Sequence, residues 1–154
     1  MNPKLSYSQI EELVSAFNPA VYAKTRNHLR GAVSRLSPYI TRGVISLPRV
    51  QEIVLQKYPG QASEKFIQEL AWREYFQKVY LSKGKDIFSD LRYERNDWQH
   101  HEVVSAIATG DTGIEAVDAE IKQLIQTGYM HNHARMWTAM LACNVAKADW
   151  KAMS

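Results

Sequence analysis

The chain has 154 residues, 45% of them hydrophobic and 23% charged, with only 7 Gly and 5 Pro: enough apolar material for one domain with a true core, and too little bias for a disordered or linker-like chain. The lone cysteine, Cys143, cannot close an internal disulfide, no apolar run is long enough to cross a bilayer, and Met1–Ile10 lacks a signal-peptide core, so a disulfide scaffold and a membrane span are excluded and the cytoplasm is the expected location. The net charge of +3 is uneven: Tyr22 to Val50 carries Lys24, Arg26, Arg30, Arg35, Arg42 and Arg49 with no Asp or Glu, which leaves the rest of the chain acidic on balance.

In chain order, Ser8 is the expected cap of a first helix through about Phe17, with Ile10, Leu13, Val14 and Phe17 on one face. Ser46 caps a second, Pro48 suits its first turn, Val50, Ile53 and Val54 follow at helical spacing, and Tyr58-Pro-Gly60 stops it. Ser63 and Phe66 open a long helix to about Ser82, with Ile67, Leu70, Ala71 and Tyr75 available to the interior, and Gly84 ends it. Asp86–His100 is the least regular stretch. A short helix over Val103–Thr109 follows, then one from Gly113-Ile114 through Gln126 closed by Gly128, and a last from about His131 to Trp150. No alternating run is long enough to force a sheet. The expectation is an all-α bundle of seven or eight helices forming one domain over 1–154.

Three groups of residues carry chemistry. Val33-Ser-Arg-Leu-Ser-Pro-Tyr39 lies in the acid-free basic segment, where Ser34, Ser37, the Arg35 guanidinium and backbone N–H groups suit a phosphate or diphosphate; the same residues also suit a serine-capped turn before a short helix. Phe66, Glu69 and Arg73 share one face of the long helix with Trp72 to one side, a mixture that fits a polar cavity with an aromatic wall, or else a plain Glu69–Arg73 ion pair over ordinary packing. Asn132, Arg135 and Met136 are spaced to place an amide, a guanidinium and a thioether on one face. No two histidines stand at the i,i+4 spacing of a helical zinc site, so a metal centre is not expected.

Ser34-Arg-Leu-Ser-Pro-Tyr39, Glu69-Leu-Ala-Trp-Arg-Glu74, Gly113 through Val117-Asp118, and Gly128-Tyr-Met-His-Asn132 with Arg135-Met136 occur in the order that resembles the catalytic domain of the DNA photolyase and cryptochrome family, over about Tyr22 to Trp150. The resemblance implies an all-helical, flavin-binding fold. It implies that Tyr22, Ser34, Arg35, Leu36, Ser37, Phe66, Arg73, Asn132 and Arg135 meet FAD, and that Arg26, Glu69, Trp72, Arg73, Asn132, His133 and Met136 meet DNA containing pyrimidine dimers. In that reading Trp72 stacks on the lesion, Glu69 and Asn132 hydrogen-bond its base edges, and photolyases extrude their target nucleotide. Trp98 and Trp150 match the outer and middle members of the family's tryptophan chain, which carries electrons to oxidised flavin, although each indole also suits plain packing.

Val33 stands where the family often has a hydroxyl residue and His133 where a DNA-facing Arg is usual. No antenna domain is expected, and family segments that follow Asp149-Trp150 have no counterpart in the sequence, so part of a flavin site is expected here, with FAD bound weakly or not at all unless a second chain or downstream segment completes it. The function implied is light-driven dimer repair. A cryptochrome-like light sensor and a cofactor-free helical nucleic-acid-binding module are the alternatives.

Overall fold

The computed structural model describes residues 5–90 and 97–153. Residues 91–96 of the expected irregular stretch, and Ser154, lie outside the described residues. Among the described residues there are nine α-helices and no strand. The helices are α1 (Tyr7–Ala16), α2 (Pro19–Thr25), α3 (Ser37–Thr41), α4 (Leu47–Lys57), α5 (Gln61–Lys83), α6 (Ser105–Thr109), α7 (Glu115–Thr127), α8 (Asn132–Met140) and α9 (Trp150–Met153). The all-α expectation holds. The chain forms two compact units, Pro3–Gly84 and Lys85–Ser154.

Local chemistry explains most boundaries. The α1 cap is Ser6, two residues earlier than expected: its hydroxyl accepts the Gln9 N–H while the Gln9 side chain accepts the Ser6 N–H, a reciprocal box, whereas Glu11, three residues after Ser8, is engaged by Arg49 at 2.7 Å. Apolar spacing marks no helix over Pro19–Thr25; Asn18 caps one there by accepting from Ala20 and Val21, and Pro19 sits in its first turn. Ser46 caps α4 as expected, through the Arg49 N–H at 3.3 Å. Gly128, at φ 73°, closes α7 in the left-handed region.

The first unit is built on one core, with Ile10 and Val14 of α1, Val50, Ile53 and Val54 of α4, and Phe66 and Leu70 of α5 buried together with Leu36 and Ile45. Burial on α5 stops at Leu70, so Ala71 and Tyr75 face solvent instead of the interior. In the second unit Val117 and Ile121 of α7, Met130, Ala134 of α8 and Ala142 are buried.

The expected last helix is broken. After α8 the chain widens into a π-helical turn over Leu141–Val145, Lys147 takes φ 60°, and a new helix begins at Trp150. Hydrogen bonds to segment 99–102 replace the lost helical ones: the Gln99 N–H donates to Lys147 O at 2.7 Å and the Asp149 N–H to His100 O at 2.8 Å. No helix among the described residues is long and apolar enough to cross a membrane.

Candidate functional site

In the first unit, α2 lies along α5 so that two of its residues meet two of the expected site residues. The Tyr22 ring stands edge-on to Phe66 at 5.5 Å, and Phe17 completes an aromatic triad. Phe66 is only 4% exposed, so its ring serves this cluster. One helical turn on, the Arg26 guanidinium lies 3.0 Å from the Glu69 carboxylate and 6.0 Å from the Tyr22 ring, and Lys65 approaches the same carboxylate at 3.2 Å. Glu69 therefore pairs with Arg26 and Lys65, and the plain Glu69–Arg73 ion pair is not formed.

Arg73 instead donates to the Thr41 hydroxyl, tying α5 to the end of α3. Its Nε is buried with no hydrogen-bond partner among the described residues. Such a group is costly unless an acceptor arrives. Beside it, Trp72 is 53% exposed, with Tyr75 edge-on at 5.6 Å and Phe76 stacked at 5.9 Å. In the serine loop, Ser34 Oγ accepts the Leu36 N–H at 3.4 Å, Leu36 is fully buried, and Arg35 and Ser37 are exposed on either side of it. Arg35 holds φ 54°, a left-handed conformation that only glycine adopts freely. Leu36 thus anchors the loop, and only its backbone remains for a ligand.

In the second unit, the His131 ring caps α8 by accepting the His133 N–H at 3.2 Å, and the His131 N–H donates to Glu120 at 3.0 Å. Asn132, Arg135 and Met136 are exposed on the face their spacing predicted, with the Asn132 amide 4.0 Å from the Met136 sulfur, while His133 is half-buried beside Trp137 at 6.4 Å. The segments carrying Trp98 and Trp150 are joined by the hydrogen bonds between 99–100 and 147–149. Trp98 is 42% exposed against His101 at 4.5 Å, and His101 bonds Asp149 at 3.0 Å. Tyr22, Arg26, the serine loop, Phe66, Glu69, Trp72 and Arg73 belong to the first unit, and Asn132, His133, Arg135, Met136, Trp98 and Trp150 to the second.

Asp118, one of the motif residues, has a local task. Its carboxylate accepts from the Thr112 N–H at 2.8 Å, the Thr112 hydroxyl at 2.6 Å and the Gly113 N–H at 3.1 Å, which together hold it below the usual carboxylate range. Sequence reasoning missed Asp90, which accepts the Trp150 indole N–H at 2.9 Å across 60 positions, and no pattern in the chain announces that pair. Lys65 is different, since its i,i+4 spacing to Glu69 was a readable signal.

Residues 66–154 match the family profile of the FAD-binding domain of DNA photolyase. The chain belongs to that family. It is 33% identical over 134 residues to the deoxyribodipyrimidine photo-lyase of Streptomyces griseus, covering 86% of this chain and 29% of the relative. Against the cryptochrome DASH of Natronomonas pharaonis it is 34% identical over 140 residues, covering 84% and 29%. Its fold superimposes on the Synechocystis sp. PCC6803 cryptochrome with a TM-score of 0.85 at 25% identity, over 98% of this chain and 34% of that one, and on a bacterial class III photolyase from Agrobacterium tumefaciens with a TM-score of 0.76 at 25% identity, over 94% and 32%. The chain thus spans about a third of the length of these relatives.

The photolyase-family residues present fit the cofactor named by the domain. A flavin dinucleotide offers anionic phosphates and carbonyl acceptors, and this chain holds the exposed Arg35 and Ser37 on a strained loop and the buried, unsatisfied Nε of Arg73. The Arg73 Nε is a donor held ready for an acceptor, and a guanidinium and a hydroxyl are groups that donate to phosphate oxygens.

Proposed function

We propose that this chain acts as the flavin- and DNA-contacting portion of a photolyase-like flavoprotein, with light-driven repair of pyrimidine dimers as its activity. The observation that carries the reading is the half-exposed Trp72 next to a carboxylate already oriented by two cations: Glu69 is fixed by Arg26 and Lys65, while the indole face beside it stays accessible. An exposed indole is a platform on which a base stacks, and a positioned carboxylate accepts from base N–H groups. On this reading Trp72 and Glu69 read the extruded base, Asn132 and Met136 add polar and soft contacts, and Arg26, Arg73 and His133 meet the strand.

Tyr22, Ser34, Arg35, Ser37, Phe66, Arg73, Asn132, Arg135 and the Leu36 backbone would hold FAD. When bound, it supplies the light-driven one-electron chemistry. The chain's own residues bind, orient and desolvate. Trp98 and Trp150 form the electron route, supported by the hydrogen bonding of their segments. The similarity to a cryptochrome DASH and a cryptochrome supports light sensing as a second reading.

The test is binding of single-stranded DNA with and without one cyclobutane pyrimidine dimer. Trp72→Ala is expected to remove the preference for damaged DNA, a loss of about 1–3 kcal/mol on the lesion, with a much smaller loss on undamaged DNA. Equal losses on both strands would overturn the assignment, and lesion binding without repair by the flavin-loaded protein would favour the sensor.

A further inference from the structure

The Trp150 indole N–H is committed to a carboxylate. Nε1 donates to Asp90 Oδ1 at 2.9 Å, and both side chains are half-buried. The residues before Trp150 are fastened: Lys147 Nζ lies 2.7 Å from Asp97, the Asp149 N–H donates to His100 O at 2.8 Å, and the His100 ring meets Ala146 O at 2.9 Å. Asp149, the neighbouring acid, is engaged elsewhere, with His101 on one oxygen and the Lys151 N–H on the other. A cation faces the same indole, Lys151 Nζ lying 5.9 Å from the ring centre.

These groups bear differently on an indole that has lost an electron. Removing one electron turns the indole N–H from a very weak acid into one of carboxylic strength. The Lys151 ammonium disfavours the positive charge this leaves on the ring, and a hydrogen-bonded carboxylate removes it by taking the proton. We propose that Asp90 is the proton acceptor of Trp150. Trp150 gives up one electron along the route whose final acceptor is an oxidised flavin in its light-excited state, the Nε1–H bond breaks, an O–H bond forms on Asp90, and a neutral tryptophan radical remains. Return of an electron to Trp150 reverses both changes. This role rests on Trp150 belonging to the electron route. Within that route it makes the tryptophan a proton-coupled carrier, which lengthens the life of the separated charge by preventing simple electron return.

The experiment uses the full chain with Trp72, Trp98 and Trp137 replaced by Phe, so that Trp150 is the only indole, its folding verified by circular dichroism. A flash-generated ruthenium(III) tris-bipyridine complex oxidises it without any flavin, and transient absorption distinguishes the cation radical from the neutral one. With Asp90 present, the neutral radical is expected at neutral pH with a solvent deuterium effect. In Asp90→Asn the cation radical should persist and its deprotonation slow by about 100-fold or more. Equal rates in the two chains would overturn the proposal. Should the triple replacement not fold, the indole N–H resonance of Trp150 in the otherwise unaltered chain serves instead, assigned with Trp150→Phe. It should shift as a carboxylate protonates on acidification, and the shift should vanish in Asp90→Asn; a resonance blind to that titration would overturn the proposal. Flavin photoreduction in Trp150→Phe tests the electron route separately, so failure of the route is distinguishable from failure of the proton transfer.

Discussion

Arg35 shows what a single residue contributes beyond its charge. Its left-handed backbone costs about 1–2 kcal/mol relative to glycine, and strain of this kind gathers where a ligand needs a side chain at a fixed place. Arg35→Gly is therefore expected to raise the unfolding free energy by about 1 kcal/mol while weakening FAD binding, read by thermal unfolding and flavin fluorescence on one preparation; a Gly variant that is less stable would remove the strain argument. Asp118 gives the second prediction. The Thr112 and Gly113 donors hold its carboxyl below the ordinary range in the folded chain, so it favours folding above that range and loses the contribution as pH falls through the folded value. Asp118→Asn should lower the urea midpoint at neutral pH, and the gap to the native chain should close on acidification. A gap independent of pH would place the loss in packing instead. The residue types at both positions were readable in the sequence. The Arg35 torsion and the three donors on Asp118 were not, because each depends on where the loop closes.

Among the elements, those with a local signal were legible and those needing a distant partner were not. Ser46, Pro48 and Gly128 mark their helix ends through hydrogen bonds and torsions that neighbouring residues settle. The apolar periodicity of α5 named Tyr75 an interior residue, yet burial ends at Leu70, since spacing shows which residues share a face and not whether anything covers it. The same applies to α8, where a continuous pattern hid the turn after Met140. The loop between α2 and α3 has a sharper constraint: a Cβ on Gly31 would collide with the Thr25 carbonyl, and the Ala32 N–H donates to the Thr25 hydroxyl at 2.9 Å. Gly31→Ala should destabilise the chain by about 1–3 kcal/mol and weaken DNA binding as well, because the loop leaves α2 at Arg26. A chemical denaturation curve checks the first; an unchanged midpoint would mean the loop yields without cost.

Across the whole molecule, charge divides as the chain does. Pro3–Gly84 carries 12 basic and 6 acidic residues, and Lys85–Ser154 carries 7 and 10. Within the basic segment, Arg26 and Arg49 are held by carboxylates, Arg49 at 2.7 Å from both Glu11 and Glu52, while Lys24, Arg30 and Arg42 are exposed. Replacing Arg30 and Arg42 together by Ala should lower the slope of log affinity against log salt by roughly 1.4 on single-stranded DNA, about 0.7 for each phosphate that is no longer neutralised. An unchanged slope would remove both from the interface. The sequence showed how many cations the segment holds, but not which of them carboxylates from α1, α4 and α5 engage. The π turn over Leu141–Val145 has a consequence of another kind. Such a turn accommodates one residue more than an α-helical path, and each residue rotates a helix by about 100°. The Ala146 N–H returns to Leu141 O at 2.9 Å and the Ala148 N–H to Ala142 O at 3.0 Å, so the length of this turn sets where the break before Trp150 begins. Loss of any one residue of Leu141–Val145 would therefore displace the pairing of 147–149 with 99–100 and, with it, the hydrogen bond from Trp150 to Asp90.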